Sequence, residues 1–250
     1  MNISFLTTEE PIYLPAFYER VLPVMKRGHT VRVYAAPPLY KNQSSIGAAK
    51  RYLKTFGPAA TFQLVLRVIG TKLTRQSVAS TCAQHSVPYE LVMDVNHPDF
   101  LEQLRREKTD LLVSVSCPQI FKQPLIALPP KGTLNIHGAI LPQYRGVMPS
   151  FWMLANGEKR AGVSIYFVNE AIDAGELCGQ TIFDIDPQET LDAFIRRSKG
   201  LAADLLLGTL HLMDRGDLKS SQLDLSKGSY FSWPTLEAVQ RFHTAGRKLW

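Results

Sequence analysis

Cysteine, long apolar runs and targeting signals are scarce or missing in this chain of 250 residues. Its 3 cysteines, Cys82, Cys117 and Cys178, show no paired spacing, which predicts reduced thiols rather than a disulfide framework or a zinc site. No run of about 18 apolar residues occurs, so no membrane-spanning helix is expected. The N-terminus reads M-N-I-S-F-L-T-T-E-E and has no basic region, so it is a poor signal peptide. These absences predict a cytoplasmic protein without a metal site.

Acidic side chains are absent from a long N-terminal stretch. Between Arg20 and Tyr89 there is no Asp or Glu, whereas the whole chain has a net charge of +6. The basic residues of this stretch are Arg20, Lys26, Arg27, Arg32, Lys41, Lys50, Arg51, Lys54, Arg67, Lys72 and Arg75. Such segregation predicts an anionic partner near the N-terminal half, and a solvated basic surface without a partner is the alternative.

Predicted strands alternate with helices, which indicates an α/β fold with a mainly parallel, Rossmann-like sheet flanked by helices. The predicted strands are Asn2–Thr8, Thr30–Ala36, Val87–Asp94, Asp110–Ser116, Gly132–His137, Gly162–Val168 and Glu176–Ile185. The predicted helices are Pro15–Met25, Lys41–Ser80 with a break at Gly57–Pro58, Pro98–Arg106, Pro149–Ala155 and Pro187–Asp214, with a last helix after Thr235. The last two strands are joined by a short turn and should be antiparallel. We expect one domain over residues 1–215 and a short C-terminal tail over residues 216–250.

The most informative stretch begins at the end of the fifth predicted strand. Asn135 and His137 stand two residues apart, so their side chains share one face of that strand. Asp173 lies on the turn between the last two strands and can complete a site there. A carboxylate beside an imidazole, with an amide donor nearby, can move protons and stabilise a developing oxyanion. The absence of a glycine-rich loop after the first strand argues against a dinucleotide cofactor.

The motifs N-I-H, L-P-Q-Y-R-G and I-D-A-G resemble those of the formyltransferases that use 10-formyltetrahydrofolate. The similarity covers roughly residues 85 to 212 well and the first 40 loosely. It implies a formyltransferase-type fold, transfer of a formyl group to a primary amine, and Asn135, His137 and Asp173 as the catalytic residues. One departure is Ala139, a position that is often Ser in this family; it puts a polar contact in doubt, not the chemistry.

The resemblance also implies where the folate would bind. The loop from Leu141 to Gly146 should border it, together with segments near residues 87–90, 114–121 and 168–173. The residues expected at this cofactor site are Pro88, Tyr89, Cys117, Ile120, Leu141, Pro142, Arg145, Gly146, Val168 and Asn169. Arg145 either meets an anionic group of the folate or of the substrate, or only braces the loop by ion pairing. Trp152 is expected in the core rather than at the ligand.

Several acceptors remain open under the resemblance. Methionyl-tRNA formyltransferases carry a C-terminal barrel for which the tail after Arg215 is too short, and glycinamide ribonucleotide formyltransferases carry a glycine-rich phosphate turn that is missing here. An amino sugar carried on a nucleotide is therefore favoured, with methionyl-tRNA as the alternative and a homodimer suggested by the sugar-modifying relatives. An inactive folate-binding protein and a hydrolase that releases formate are further alternatives.

The stretch from Lys50 to Leu73 mixes apolar residues with Arg and Lys. It could lie on an anionic membrane surface, which would suit a lipid-linked acceptor. The favoured reading is a pair of helices packed inside the protein against the sheet.

Overall fold

The computed structural model describes residues 1–37 and 45–250, and it leaves the side chains of residues 45, 46 and 48 out of the description. The predicted start of the second helix at Lys41 lies outside the described residues. The elements in chain order are β1 (Asn2–Thr7), α1 (Leu14–Met25), β2 (Thr30–Ala35), α2 (Ser45–Leu73), α3 (Val78–Gln84), β3 (Tyr89–Leu91), α4 (Pro98–Arg106), β4 (Leu111–Val115), α5 (Gln123–Ile126), β5 (Thr133–His137), β6 (Arg145–Gly146), α6 (Pro149–Ala155), β7 (Arg160–Phe167), β8 (Leu177–Asp184), α7 (Leu191–Arg215), the 3-10 turn Leu225–Lys227, β9 (Tyr230–Phe231) and α8 (Leu236–Thr244).

A seven-stranded sheet in the order β3-β2-β1-β4-β5-β7-β8 forms the centre of the described chain. Neighbouring strands from β3 to β5 are parallel, and β7 pairs antiparallel with both β5 and β8. The predicted α/β, mostly parallel, Rossmann-like fold is thereby confirmed. The strand order reverses direction between β1 and β4, and ligands of such sheets bind beyond the carboxyl ends of the strands near that point.

Helices cover both faces of the sheet. One core joins the odd-numbered side chains of β1 and β4, such as Phe5 and Val113, to α1, α3 and α7. On the other face Leu6 and Leu112 pack with α4 and α5. A third cluster contains Phe151 and buries α6 against α8 and the start of α7. The alternation of buried residues between two cores explains why these parallel strands are apolar on both faces.

The α2 helix is where the structure departs most from the favoured prediction. Its predicted break is confirmed at Gly57, whose φ of 83° and ψ of 173° separate two helical segments. The helix does not pack on the sheet as an internal pair. Phe56 and Ala60 are buried in the cluster around Phe151, while large side chains on its other face stay in solvent. The helix therefore lies on the outside of the molecule.

The tail after Arg215 packs on the rest of the chain. Its strand β9 pairs with β6, and Phe231 stacks on Tyr144 and Trp152 with ring centroids 5.1 and 4.7 Å apart. The expected core position of Trp152 is confirmed, since it is 6% exposed. The predicted last helix is α8, which Thr235 caps by accepting a hydrogen bond from the amide of Ala238. The division at residue 215 stays a prediction, but the tail holds the loop that precedes α6.

Candidate active site

Strand β5 places Asn135 and His137 at its carboxyl end. Leu134 and Ile136 point into the core under α1 and α7, so the two polar residues share the opposite face. His137 is buried and Asn135 is half-buried. The register pairs Asn135 with Tyr166 and His137 with Ser164 on β7, which fixes the neighbours of both.

The turn between β7 and β8 brings Asp173 back over β5. Asp173 has φ of 48°, a left-handed conformation that Asp tolerates better than most residues. Gly175 permits the fold-back, since a Cβ there would lie 1.7 Å from the carbonyl oxygen of Phe167. The I-D-A-G motif is thus explained by backbone geometry as well as by the carboxylate.

Two donors hold the Asp173 carboxylate. The amide of Gly146 donates to Oδ2 at 2.8 Å, and the hydroxyl of Tyr166 donates to Oδ1 at 2.7 Å. Gly146 has φ of +96°, and a Cβ there would lie 2.2 Å from the carbonyl oxygen of Phe231, so the loop requires glycine at this position. The side chain of Asp173 is only 11% exposed, which strengthens its interaction with nearby charge.

Tyr166 connects Asp173 to Asn135. Its hydroxyl group donates its one hydrogen bond to the carboxylate, so the hydroxyl oxygen accepts a hydrogen bond from Asn135 Nδ2 at 2.8 Å. This direction turns the amide group of Asn135, and not its carbonyl, toward the hydroxyl, and leaves a second N–H for another acceptor. Burial and the adjacent Asp173 carboxylate raise the pKa of Tyr166 well above its ordinary value, which keeps the phenol protonated as a donor.

His137 lies between a backbone carbonyl and the same carboxylate. Its Nε2 is 2.8 Å from the carbonyl oxygen of Tyr144, which only accepts, so Nε2 carries a hydrogen. Its Nδ1 faces Asp173 Oδ2 at 3.7 Å. Nδ1 is therefore the ring atom that can take a proton, and the imidazolium so formed faces a carboxylate.

A lysine from α7 also reaches this end of the sheet. Lys199 Nζ donates to Ser116 Oγ at 2.8 Å, and Ser116 directly follows β4, one strand away from His137. Desolvation lowers the pKa of Lys199 to about 8, while Glu10 opposes that shift. Lys199 keeps some contact with solvent, so an anion that enters here can reach its ammonium group.

Most of the residues expected to bind the folate lie around this site. Leu141 is joined to Pro142 by a cis peptide bond, and its amide donates to Ser164 Oγ at 3.1 Å. Val168 and Asn169 begin the turn that carries Asp173. A cavity of about 480 Å³ lies beside this turn, between Gln123 and residues 169–171. It is an open depression at the surface, and polar groups form about half of its lining.

The two readings of Arg145 can be compared directly. Its amide donates to the carbonyl oxygen of Ser229, but its guanidinium forms no ion pair with any described residue. Its Nε is buried without a hydrogen-bond partner. A buried donor that no described residue satisfies favours contact with an anionic ligand over bracing by an ion pair.

Cys117 and Ile120 follow β4. Cys117 is half-buried against the core under α4, and burial raises the pKa of its thiol to about 11, so it stays protonated. Ile120 is 66% exposed. Both lie on the loop near the cavity and can offer only backbone groups and apolar surface.

Pro88 and Tyr89 are not brought to His137. Tyr89 is on β3, at the far edge of the sheet, four strand spacings or about 19 Å from β5. Its hydroxyl donates to Glu9 Oε2 at 2.6 Å. The loop after β4 lies much closer to His137, and a place for Pro88 and Tyr89 in the folate site stays a prediction.

Tyr166 and Lys199 are the functional candidates that sequence reasoning missed. Tyr166 sits among strand residues of an apolar pattern, and only the register of β7 against Asn135 reveals its role. Lys199 lies in the middle of α7, where a lysine normally indicates a solvated helix face. The position of Ala139 matters less than expected, since this residue is fully buried in the cluster around Phe151.

The family model described as formyl transferase matches residues 66–210, more than half of the chain. A methionyl-tRNA formyltransferase of Thermotoga maritima is 32% identical over 161 residues, which cover 64% of this chain and 51% of that protein. The chain therefore spans about half the length of this curated relative.

Solved structures share the fold. A sugar N-formyltransferase from Shewanella sp FDAARGOS_354 has a TM-score of 0.64 at 19% identity, covering 98% of this chain and 87% of that one. The N-formyltransferase from Helicobacter canadensis, solved in complex with folinic acid and dTDP-3-aminofucose, has a TM-score of 0.64 at 14% identity, covering 97% and 79%.

Proposed function

The chain belongs to the formyl transferase family, and we propose that it transfers a formyl group from 10-formyltetrahydrofolate to the primary amine of a nucleotide-linked sugar. The observation that carries the proposal is the connected set Asn135, Tyr166, Asp173 and His137 at the end of β5. In it, an oriented amide donor and a proton acceptor backed by a carboxylate lie side by side, as acyl transfer to an amine requires.

The residues around the cavity fit a folate. The cavity opens beside Asn169 and the turn that carries Asp173, and the unpaired Nε of Arg145 lies on the neighbouring loop. Leu141, Pro142 and the loop with Cys117 offer apolar walls and backbone groups for a flat ring. When bound, the folate supplies the formyl group as an activated acyl donor.

The side chains divide the chemistry among them. The free N–H of Asn135 stabilises negative charge on the formyl oxygen, and its partner Tyr166 holds it in that orientation. His137 accepts, at Nδ1, the proton that the amine loses as its bond to the formyl carbon forms, and can return it to the folate nitrogen as the bond to that nitrogen breaks. Asp173 balances the charge of the imidazolium, and Gly146 and Tyr166 keep the carboxylate in place.

A nucleotide-linked amino sugar suits the charge near the site. Lys199 presents a cation next to the strand end, on the α7 side of the sheet. Arg67 and Arg196 border a second cavity of about 280 Å³ near Ile12, and among the described residues both pair with Asp192. These cations favour an acceptor that carries phosphate groups.

Methionyl-tRNA is the second candidate acceptor. Its support is the curated relative from Thermotoga maritima, together with the acid-free stretch from Arg20 to Tyr89, which could contact tRNA phosphates. The same cations near Lys199 would then face the acceptor end of the tRNA rather than a diphosphate.

The test is acceptor-dependent release of tetrahydrofolate from 10-formyltetrahydrofolate. The acceptors are a panel of dTDP-, GDP- and UDP-linked amino sugars, with methionyl-tRNA beside them. We expect turnover on at least one nucleotide sugar, and Lys199→Gln should raise the KM for that acceptor while kcat changes little. Turnover on methionyl-tRNA alone would replace the sugar by the tRNA, and folate turnover without any acceptor would indicate a hydrolase.

A further inference from the structure

The second segment of α2, residues 58–73, exposes a continuous stripe of large apolar side chains. Their spacing of three or four residues puts them on one face of the helix. The exposed fractions are 64% for Phe62, 48% for Val65, 51% for Leu66, 47% for Ile69 and 80% for Leu73. Single exposed apolar residues are common, but a contiguous stripe marks a surface that contacts another apolar phase.

The opposite face holds this helix to the protein. Ala60 is buried, and Arg67 pairs with Asp192 at 2.7 Å while its guanidinium lies 4.3 Å from the ring centroid of Trp250. Gly70, Thr71 and Thr74 line the cavity near Arg196. Arg67 and Thr71 are thus turned toward the protein, while the apolar stripe faces outward.

Unpaired cations accompany the stripe. Lys50, Lys54, Lys72 and Arg75 are exposed, and none of them forms an ion pair with a described residue. Two other cations of the acid-free stretch from Arg20 to Tyr89 are paired with carboxylates of α7. Arg20 pairs with Asp204, and Arg67 pairs with Asp192. The surface around the stripe is therefore positive as well as apolar.

This combination selects among three occupants. A second copy of the chain would bring the same cations together, with no acidic residue in either acid-free stretch to compensate. A nucleic acid would pair with the cations but would leave five large apolar side chains in contact with water or phosphate. An anionic lipid surface accepts the apolar side chains at the acyl boundary and the cations at its headgroups.

We propose that residues 58–73 dock the protein on an anionic lipid bilayer. The helix lies along the surface, with Phe62, Leu66, Ile69 and Leu73 in the boundary between headgroups and acyl chains. Lys72 flanks the stripe on the helix, and Lys50 and Lys54 precede it, so all three can reach lipid phosphates. Among the described residues, no helix is long and apolar enough to cross a membrane, which agrees with a surface position.

The experiment is cosedimentation of the purified chain with large unilamellar vesicles. One set contains phosphatidylcholine alone, and the other contains phosphatidylcholine and phosphatidylglycerol in a two-to-one ratio, each at low and at high salt. We expect binding to the anionic vesicles, weaker binding at high salt, and little binding to neutral ones. Leu73→Ser and Phe62→Ser should each lower the partition coefficient on the order of tenfold, because each removes a side chain that enters the bilayer.

Leu236→Ser is the matched control, since Leu236 is 56% exposed on α8 and is not part of the stripe. It should bind anionic vesicles as the unchanged protein does, and circular dichroism should show all variants folded. A chain that stays in solution with anionic vesicles at low salt overturns the proposal. So does a dimer that Leu73→Ser converts to a monomer, because a second copy then covers the stripe.

Discussion

The turn that carries Asp173 and the outward face of α2 expose opposite kinds of group. At the turn, both carboxylate oxygens are occupied by fixed donors, and the backbone is held in a conformation that few residues adopt. On α2, large apolar side chains stay about half exposed or more. A reaction site needs groups that cannot move, whereas a docking surface needs groups that are still free to be buried.

The largest effect is expected at the candidate active site, from His137→Ala. Removal of the imidazole takes away the proton acceptor at Nδ1 and should lower kcat by about a hundredfold or more, equivalent to about 2.7 kcal/mol. Folate binding, followed by the change in its absorbance or fluorescence, should survive because the cavity beside Asn169 does not contain this ring. Turnover close to that of the unchanged enzyme would remove His137 from the chemistry.

Gly175→Ala should damage the same region through the backbone. The new Cβ would meet the carbonyl of Phe167 at 1.7 Å, so the turn must shift and carry Asp173 with it. We expect a loss of about 1–3 kcal/mol in the free energy of unfolding and a clear loss of kcat. Gly208→Ala is the control, because nothing lies within 4 Å of a Cβ there. Equal melting curves for the two variants would contradict the tight fold-back.

Tyr166→Phe should have a smaller and more specific effect. The ring stays, but Asp173 loses a donor and Asn135 loses the partner that orients its amide. We expect kcat to fall on the order of tenfold with the KM for folate nearly unchanged, because Tyr166 acts through its neighbours as a positioning residue.

A double variant separates positioning from mere packing. If Tyr166 orients Asn135, then Tyr166→Phe should cost little more once Asn135 is already replaced by Ala. Independent, additive losses in the Asn135→Ala background would assign the tyrosine a structural role only.

The two regions also differ in how far the sequence could predict them. Asn135 and His137 were predicted from their spacing, and Asp173 from its turn, because each depends on a few neighbouring residues. Tyr166 could not be recognised, since its partners come from β5 through a register that no local pattern encodes. Strand order, which no local pattern encodes either, places β3 four positions from β5, so the assignment of Pro88 and Tyr89 to the folate site stays a prediction.

For α2 the sequence was ambiguous in a different way. Its break at Gly57 was predicted because Gly57 and Pro58 interrupt any helix. The exposed position of the helix was not predicted, because an apolar helix with basic residues has the same composition whether it is buried against a sheet or lies on a surface. Only the exposure of Phe62 and Leu73 distinguishes the two cases.

The smallest effect on stability is expected on the outward face of α2. Such a small effect would sharpen the contrast with the turn that carries Asp173. Leu73→Ala should change the free energy of unfolding by less than about 0.5 kcal/mol, because the side chain is already 80% exposed in the folded chain. Leu206→Ala is the matched change in the core, where the side chain is fully buried, and should cost about 2–5 kcal/mol. Urea unfolding of both variants measures the difference. A loss of more than about 1 kcal/mol at Leu73 would mean that another part of the chain covers the stripe, and the surface would then no longer be free to bind a bilayer.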